Sequence, residues 1–241
     1  MTSAYYAPGP GRAENVRKLF ARIARRYDVI NDLQSFGLHR VWKRKVARLT
    51  QAGPGARALD VCCGTGDLGR LLAARGARSF GCDFSREMLA AAPPRNQVQQ
   101  WVQGDALRLP FRDAVFDLVT IGYGLRNLAD FEGGLREISR AAKPGARILI
   151  LDFGRPANPL WRALYFAYLR AVVPVFGKIF AADAAAYRYI LDSLEHYPAQ
   201  DGVAEMLRRL GFERVETHNL LGGMMSIHAA QAPRHRESAT T

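Results

Sequence analysis

The feature that most constrains the fold is a pair of short apolar runs that each end at polar or glycine residues and are each followed by a helical stretch. Residues 58–63 form the first run and lead into Gly64-Thr65-Gly66, and residues 78–83 form the second and end at Asp83. Three further runs of strand character span residues 98–102, 115–121 and 147–153. Strands that alternate with helices indicate βαβ units and a parallel sheet covered on both faces.

The alternation stops in the C-terminal third of the chain. Residues 158–180 predict an aromatic-rich helix inserted into the fold, and residues 202–210 predict a further helix. Two last runs, residues 214–220 and 224–229, are joined by Gly222-Gly223, a pair typical of a hairpin turn. The predicted fold class is therefore α/β: a Rossmann-like, open, mostly parallel seven-stranded sheet with a C-terminal antiparallel hairpin and an inserted helical flap.

The beginning of the chain differs from the rest in pattern and in charge. Helical spacing of apolar side chains predicts helices over residues 13–27 and 38–49. Residues 1–50 carry 11 basic and 3 acidic side chains, so they hold +8 of the chain's net charge of +12. Such a segment suits phosphates of nucleic acid or an anionic membrane surface, and a solvated basic helix face is the alternative. The expected domains are a basic helical cap over residues 1–52, a main domain over residues 53–232 with its insertion at about residues 155–182, and a disordered tail over residues 233–241.

Composition excludes several classes of protein. Hydrophobic residues make up 49% and charged residues 23%, so the chain can bury a core and global disorder is excluded. The most apolar stretch, residues 163–180, is interrupted by Arg170, Pro174 and Lys178 and does not predict a spanning helix. No signal-peptide pattern opens the chain, and three clustered cysteines without a nearby histidine pair predict neither a disulfide framework nor a metal site. We therefore expect a cytoplasmic protein.

Glycine and acidic residues follow three successive predicted strands. In open α/β sheets, ligands bind outside the carboxyl ends of the strands. Gly64-Thr65-Gly66, Asp83 and Asp105 all fall at that edge. Each alone is commonly structural, since a strand-end aspartate is often a helix cap, but the three in order indicate a nucleoside site. Cys62 stands at the first glycine position of the dinucleotide fingerprint, and no phosphate-loop lysine follows, so neither of those motifs is present.

This arrangement resembles that of class I methyltransferases, which use S-adenosylmethionine, a cofactor without phosphate. The resemblance implies that the cofactor is S-adenosylmethionine. An acid at Asp83 would accept hydrogen bonds from the ribose hydroxyls, as in other Rossmann units, and Asp105 would lie near the adenine amine. The cofactor-binding residues implied are Asp60, Gly64, Thr65, Gly66, Asp83, Phe84, Asp105, Ala106 and Gly122.

Six longer motifs are similar to those of the menaquinone/ubiquinone biosynthesis C-methyltransferases. They are residues 26–32 (RYDVIND), 35–43 (SFGLHRVWK), 59–67 (LDVCCGTGD), 124–128 (GLRNL), 183–189 (DAAAYRY) and 218–223 (HNLLGG). The similarity runs from about residue 12 to residue 229. Two departures stand out: Gly122 replaces a serine that many members carry, and Ile227-His228-Ala229-Ala230 replaces a basic, glycine-containing tail.

The family resemblance implies methyl transfer to a ring carbon of a reduced prenylated quinone. Arg126 and Asn127 follow the fourth strand, where the methyl group would point, and Arg126 would stabilise a quinolate oxygen or organise a water that takes its proton. Arginine is itself a poor base because of its high pKa. Tyr27 joins them as a catalytic candidate from the cap, and His39 is a further candidate for a lid. The alternatives are a surface salt bridge for Arg126 and an ordinary hydrogen-bonding role for His39.

The expected partners are a prenylated quinol and, transiently, the inner face of the membrane where such substrates reside. The flap aromatics, among them Trp161 and Tyr165, would form either core, or an apolar groove for the prenyl tail or a membrane-facing surface edged by basic side chains. Nucleic acid is not expected, since Thr120–Gly124 lacks the Asn/Asp-Pro-Pro-aromatic motif of amino-methylating enzymes. Another small-molecule methyltransferase and a non-catalytic binding module are the remaining alternatives. The sequence does not decide whether the substrate is a naphthoquinol or a benzoquinol. It also leaves open the length of the prenyl tail, the identity of the general base and whether the protein forms a homo-oligomer.

Overall fold

A computed structural model describes residues 11–92, 98, 100–180, 191, 193–194 and 196–234. The predicted motif at residues 183–189 and most of the predicted C-terminal tail lie outside these residues. Within them, no helix is long and apolar enough to cross a membrane.

Seven strands form one sheet in the order β3-β2-β1-β4-β5-β7-β6. The first five strands pair in parallel, and β7 pairs antiparallel with both β5 and β6. The predicted fold class is thus confirmed, including the C-terminal hairpin. The strands are β1 (Arg57–Val61), β2 (Arg78–Asp83), β3 (Gln100–Gln103), β4 (Phe116–Gly122), β5 (Ala142–Phe153), β6 (Glu213–Leu220) and β7 (Met225–Gln231).

Helices cover both faces of this sheet and form a cap over its carboxyl edge. They are α1 (Gly11–Ile23), α2 (Tyr27–Ser35), α3 (Leu38–Leu49), α4 (Asp67–Ala73), α5 (Arg86–Ala91), α6 (Phe131–Ala141), α7 (Pro159–Phe180) and α8 (Ala199–Arg209). The central strands β4 and β5 are apolar on both faces, as expected of a doubly covered parallel sheet. Val119, Ile121, Ile148 and Ile150 are all buried there against α6 and α8 side chains such as Leu135.

The single helix expected over residues 13–27 is wrong in its extent. A 3-10 turn at Ala24–Arg26 ends α1, and a separate helix, α2, follows. α2 ends because Phe36 and Gly37 both adopt positive φ, 50° and 74°, a left-handed ending that suits glycine. Three helices therefore precede β1, and the last of them, α3, packs beside α4 against β5 through Trp42 and Val46.

Helix α6 is an element for which the sequence analysis made no prediction. It begins where the Asp130 carboxylate accepts the Gly133 N–H (3.0 Å), a standard N-terminal cap. Two glycines in its first half, Gly133 and Gly134, weaken its helical propensity. At Gly134 a Cβ would collide with the Leu128 side chain, so a close packing contact explains that glycine.

Candidate active site

The glycine turn after β1 forms the centre of the carboxyl edge. Cys62, Gly64 and Gly66 all have positive φ (53°, 56° and 83°), a conformation that favours glycine. The turn leaves the Gly64 N–H free to donate to the Asp83 Oδ2 atom at the end of β2 (2.8 Å). The turn and the second predicted acid are therefore physically linked.

Asp83 lies in the wall of a cavity at this edge. Its other oxygen, Oδ1, accepts the Ser85 N–H (2.9 Å). Burial raises the pKa of Asp83 above its usual value, although the N–H groups of Ser85 and Gly64 lower it. A carboxylate oxygen has two lone pairs, so each can accept a further hydrogen bond from a ligand hydroxyl.

This cavity, here called the nucleoside cavity, is where six of the nine predicted cofactor residues lie. They are Gly64, Asp83, Phe84, Asp105, Ala106 and Gly122, and Asn127 lines the cavity as well. At Gly122, where many relatives are expected to have serine, a Cβ would lie 2.7 Å from Leu68 Cδ1. The Leu68 side chain thus takes the space that a larger residue would need.

Asp60 was expected to bind the cofactor, but it does not line the nucleoside cavity. Its carboxylate is fully buried and accepts the Gly69 N–H (3.1 Å) and the Thr120 hydroxyl (2.9 Å). Burial raises the pKa of Asp60 to about 7, against the lowering effect of these two hydrogen bonds. Asp60 therefore braces α4 against β4 from below the glycine turn.

Thr65 and Gly66 also lie outside the lining of this cavity. The Thr65 hydroxyl donates to Asp28 Oδ1 of α2 (2.8 Å), and Lys43 of α3 forms an ion pair with Asp67 (2.8 Å). Although burial alone would raise it, the Lys43 ammonium holds the pKa of Asp67 below its usual value. The cap is thereby tied to the glycine turn by two partly buried polar contacts.

A second, larger cavity of about 400 Å³ lies between the cap, the flap helix α7 and the sheet edge. Its volume falls within the range of small-molecule sites, about 300–1,000 Å³. Most of its wall is apolar, and we call it the apolar cavity. Its lining includes Leu19, Ile23, Ile30, Phe36, Trp42, Phe153, Trp161, Leu164, Tyr165, Leu169, Leu221 and Met224.

The flap aromatics divide between the two expected roles. Tyr165 is buried against Leu19 and Ile30 and belongs to the core of the cap, whereas Trp161 is 39% exposed. Both side chains also line the apolar cavity. The Trp161 Nε1 atom donates to the Leu221 carbonyl (2.9 Å), which fixes the start of α7 to the turn of the hairpin.

Arg126 lies in the wall of the apolar cavity and is buried, so it is not part of a surface salt bridge. Its Nη1 atom donates to Asp152 Oδ1 (3.0 Å) and to the Tyr123 carbonyl (2.6 Å). The guanidinium lies 4.6 Å from the centre of the Phe153 ring. Burial raises the pKa of Asp152 above its usual value, and the Arg126 charge opposes that rise. The Asp152 carboxylate, the Tyr123 carbonyl and the Phe153 ring thus hold the Arg126 guanidinium in one orientation.

The two cavities share a wall. Phe20, Tyr27 and Tyr123 line both of them. Asn127 lies on the nucleoside side, where its Nδ2 atom donates to the Tyr123 carbonyl (3.0 Å), and Arg126 lies on the apolar side. The three predicted catalytic residues therefore surround the boundary between the cavities.

His39 also lines the apolar cavity. Its Nε2 atom lies 2.8 Å from Asp32 Oδ1, and Arg40 donates to both oxygens of the same carboxylate. Burial lowers the pKa of His39, although the Asp32 hydrogen bond raises it. A neutral ring that donates from Nε2 to Asp32 has an acceptor at Nδ1.

Four buried polar atoms in the wall of the apolar cavity have no hydrogen-bond partner among the described residues. They are Asn31 Nδ2, Gln34 Nε2, His39 Nδ1 and the Tyr123 hydroxyl. Buried polar groups are nearly always paired in native proteins, so such atoms point to a bound polar partner. The wall of the cavity is thus mostly apolar, but its residues include buried polar atoms that no described residue satisfies.

Comparison with known proteins gives this arrangement a family. Residues 11–232 match the model of the ubiE/COQ5 methyltransferase family. The chain belongs to the ubiE/COQ5 methyltransferase family. This confirms the family resemblance that the sequence motifs indicated.

Relatives in this family cover nearly the whole chain. A demethylmenaquinone methyltransferase of Desulfitobacterium hafniense is 39% identical over 94% of this chain and 93% of its own. A ubiquinone/menaquinone biosynthesis C-methyltransferase of Ectopseudomonas mendocina is 40% identical (94% and 92%), and a 2-phytyl-1,4-naphtoquinone methyltransferase of Thermosynechococcus vestitus is 43% identical (90% and 99%).

A solved structure agrees with the fold. A SAM-dependent methyltransferase of Thermotoga maritima, described as a possible histamine N-methyltransferase, superposes with a TM-score of 0.64 at 18% identity. The match covers 90% of this chain and 99% of the other. At this identity the likeness shows the fold of the ubiE/COQ5 chain and nothing of its substrate.

Two site residues were not found from the sequence. Asp152 is the second-to-last residue of β5 and follows an apolar run. The signal that was missed is that this strand, like β1 and β2, carries an acid near its carboxyl end. Tyr123 lies beside the predicted Gly124-Leu125-Arg126-Asn127 motif of the ubiE/COQ5 family, but nothing in the sequence shows that its backbone has positive φ.

Proposed function

We propose that this protein transfers the methyl group of S-adenosylmethionine to a ring carbon of a reduced polyprenylated quinone, converting demethylmenaquinol to menaquinol. The observation that carries the proposal is that the nucleoside cavity and the large apolar cavity adjoin, since three side chains line both, and that Arg126 lies beside this boundary. A 2-methoxy-6-polyprenyl-benzoquinol, the corresponding precursor of ubiquinone, is the second substrate to be tested.

S-adenosylmethionine supplies an electrophilic methyl group when bound. Asp83 and the Gly64 turn are proposed to hold its nucleoside, with Asp105 and Ala106 on the adenine side, because all four line the nucleoside cavity. The glycine turn lets the backbone approach a ligand closely, and the Asp83 oxygens retain lone pairs for hydroxyl donors. Asp60 and Thr65 would act indirectly, by fixing the turn.

The ring of the quinol is proposed to lie against Arg126 in the apolar cavity. Loss of one phenolic proton to water places negative charge on the ring, and the ortho carbon then forms a bond to the methyl group while the carbon–sulfur bond breaks and S-adenosylhomocysteine leaves. Loss of the hydrogen on that carbon as a proton, with return of a proton to the oxygen, restores the aromatic quinol. The Arg126 guanidinium would stabilise the quinolate oxygen in a site with little water. Because its position is fixed by Asp152 and Phe153, little reorganisation is needed when the charge forms.

The polyprenyl tail accounts for the open mouth of the apolar cavity. Phe36 is 78% exposed, and Trp161, Leu164 and Leu221 are exposed too, although all four line the cavity. An apolar rim of this kind suits an apolar chain that leaves the cavity, whereas a water-soluble substrate would not need one.

The test of this function is turnover with a defined substrate. Purified protein, S-adenosylmethionine and chemically reduced demethylmenaquinone should give menaquinone after reoxidation, with one methyl group gained by mass spectrometry. Reduced demethylated ubiquinone precursor and bulk RNA are the parallel substrates. Methylation of RNA with no product from either quinol would contradict the proposal.

Replacement of Asp83 by alanine should weaken S-adenosylmethionine binding by about 1–3 kcal/mol, because ribose hydroxyls and the Gly64 N–H lose their acceptor. Titration calorimetry measures the change. Asp83→Asn keeps one acceptor oxygen and should fall between the alanine variant and the wild type. Unchanged affinity in Asp83→Ala would place the ribose elsewhere.

We also propose that the protein contacts the inner face of the membrane transiently, through the apolar rim and the basic N-terminal segment. Each lysine or arginine near an anionic bilayer adds about 1 kcal/mol, and salt screens this contribution. Weak co-sedimentation with anionic liposomes should therefore fall, without vanishing, when salt is raised, and neutral liposomes should bind much less. No binding to anionic liposomes even at low salt would contradict this.

One substitution separates the contribution of the apolar rim to liposome binding from that of the basic side chains. Phe36 has a φ of 50°, which asparagine tolerates, so Phe36→Asn should keep the fold while it lowers the salt-resistant part of liposome binding. Val41→Asn, on the exposed part of α3 and outside the cavity lining, is the matched control. Equal losses in both variants would show that the rim has no special role.

A further inference from the structure

Tyr123 has a backbone that is held in an unfavourable conformation. Its φ is 60°, which is uncommon for a residue other than glycine. The Tyr123 N–H donates to the Leu151 carbonyl (2.7 Å), and the Tyr123 carbonyl accepts from both Arg126 and Asn127 (2.6 and 3.0 Å). Such strain persists where surrounding contacts enforce it, and it is concentrated at functional sites.

The side chain of Tyr123 is also unusual, because its buried hydroxyl has no hydrogen-bond partner among the described residues. The ring is fixed edge-on against Phe153, with a centroid distance of 6.0 Å. The packing of the ring therefore fixes the position of the hydroxyl, but no described residue forms a hydrogen bond to it. The residue lies in the wall that the two cavities share.

The surroundings of the hydroxyl favour the apolar cavity over the nucleoside cavity. The groups that act on it electrostatically are Tyr27, Asp152, Arg126 and Tyr165. Arg126 and Tyr165 line only the apolar cavity, as does Phe153, whereas Tyr27 lines both. Burial raises the pKa of Tyr123 well above its usual value, so the group remains a hydroxyl and acts as a donor rather than a base.

We propose that the Tyr123 hydroxyl donates a hydrogen bond to the quinol oxygen that Arg126 also faces. The two donors would share the negative charge that appears when this oxygen loses its proton. Tyr123 then contacts the substrate directly and helps to set which ring oxygen is deprotonated. This role rests on the proposed function, because it requires a quinol ring in the apolar cavity.

Tyr123→Phe tests the role, since it removes only the hydroxyl and keeps the ring against Phe153. We expect kcat/KM for demethylmenaquinol to fall about 10- to 100-fold. This is the fold-change expected from loss of one hydrogen bond to a charged oxygen. The Kd for S-adenosylmethionine should stay within about twofold. The low-pH limb of the kcat profile should move to higher pH by about one unit, because the bound quinol loses a donor that favours its ionised form.

The matched control is Tyr197→Phe. Tyr197 is another buried tyrosine whose hydroxyl has no partner among the described residues, but it lines neither cavity. It should leave both kcat/KM and the pH profile unchanged, and thermal melting should show both variants folded.

Two results would overturn the role of Tyr123 alone. They are an active wild type whose Tyr123→Phe variant has an unchanged rate and pH profile, and a variant that loses affinity for S-adenosylmethionine while its KM for the quinol stays the same. A wild type that fails to methylate any quinol would overturn the proposed function, and this role with it.

Discussion

Arg126→Ala is expected to abolish quinol turnover and to lower the free energy of unfolding by about 3–5 kcal/mol, the usual cost of removing one partner of a buried ion pair. The loss of turnover follows from the proposed contact with the quinolate. The loss of stability follows from Asp152, whose buried carboxylate would keep, within the part of the chain that the structure describes, only the N–H donors of residues 126 and 153. Urea denaturation and the methylation assay measure the two effects.

A second substitution separates these two effects. Asp152→Asn in the Arg126→Ala background removes the uncompensated charge, so it should restore much of the stability and none of the activity. The stability deficit of Arg126→Ala alone should shrink as pH falls, because an unpaired buried carboxyl has a raised pKa and takes up a proton. Turnover within a few-fold of the wild type in Arg126→Ala would show that Arg126 is only structural.

Gly66→Ala is expected to lower the free energy of unfolding by about 2–6 kcal/mol, the sum of about 1–3 for backbone strain and about 1–3 for overpacking. The strain arises from a φ of 83°, and the overpacking from a Cβ that would collide with the Trp101 ring. A turn displaced by this collision would also move Gly64 away from Asp83, so cofactor affinity should fall as well.

Gly55→Ala is the matched control for this prediction. Gly55 has nearly the same φ, 82°, but nothing lies within 4 Å of the position of its Cβ. It should therefore show the backbone strain alone. Equal losses of stability in the two variants would mean that the Trp101 side chain moves aside without cost. If instead Gly66→Ala is the less stable variant, adding Trp101→Leu to it should recover part of the difference in the free energy of unfolding.

The sequence predicted the parts of the fold that depend on local pattern. The strands that end near Asp60, Asp83 and Gly104 are apolar runs followed by turn residues, and the structure has them within about two residues of the predicted ends. Helix α2 was missed because the predicted helix ended at residue 27, where α2 begins, and the break at residues 24–26 contains neither glycine nor proline to mark a boundary.

The site was predicted less fully, since it depends on which side of a strand each side chain takes. Asp60 and Asp83 look alike in the sequence, as acids in successive strands. Only the packing shows that Asp60 is covered by Gly69 and Thr120, whereas Asp83 faces a cavity. The pairing of Arg126 with Asp152 joins residues 26 positions apart, and no local pattern reports such a contact.

The wall formed by Phe20, Tyr27 and Tyr123 has a thermodynamic consequence. Because the same three side chains line both cavities, a ligand that fixes them from one cavity would change the surface that the other ligand meets. The two binding free energies are then coupled, and such coupling is reciprocal: the factor by which the cofactor changes quinol affinity equals the factor by which the quinol changes cofactor affinity. Each ligand would be, in this sense, an effector of the other through the three side chains that both cavities share.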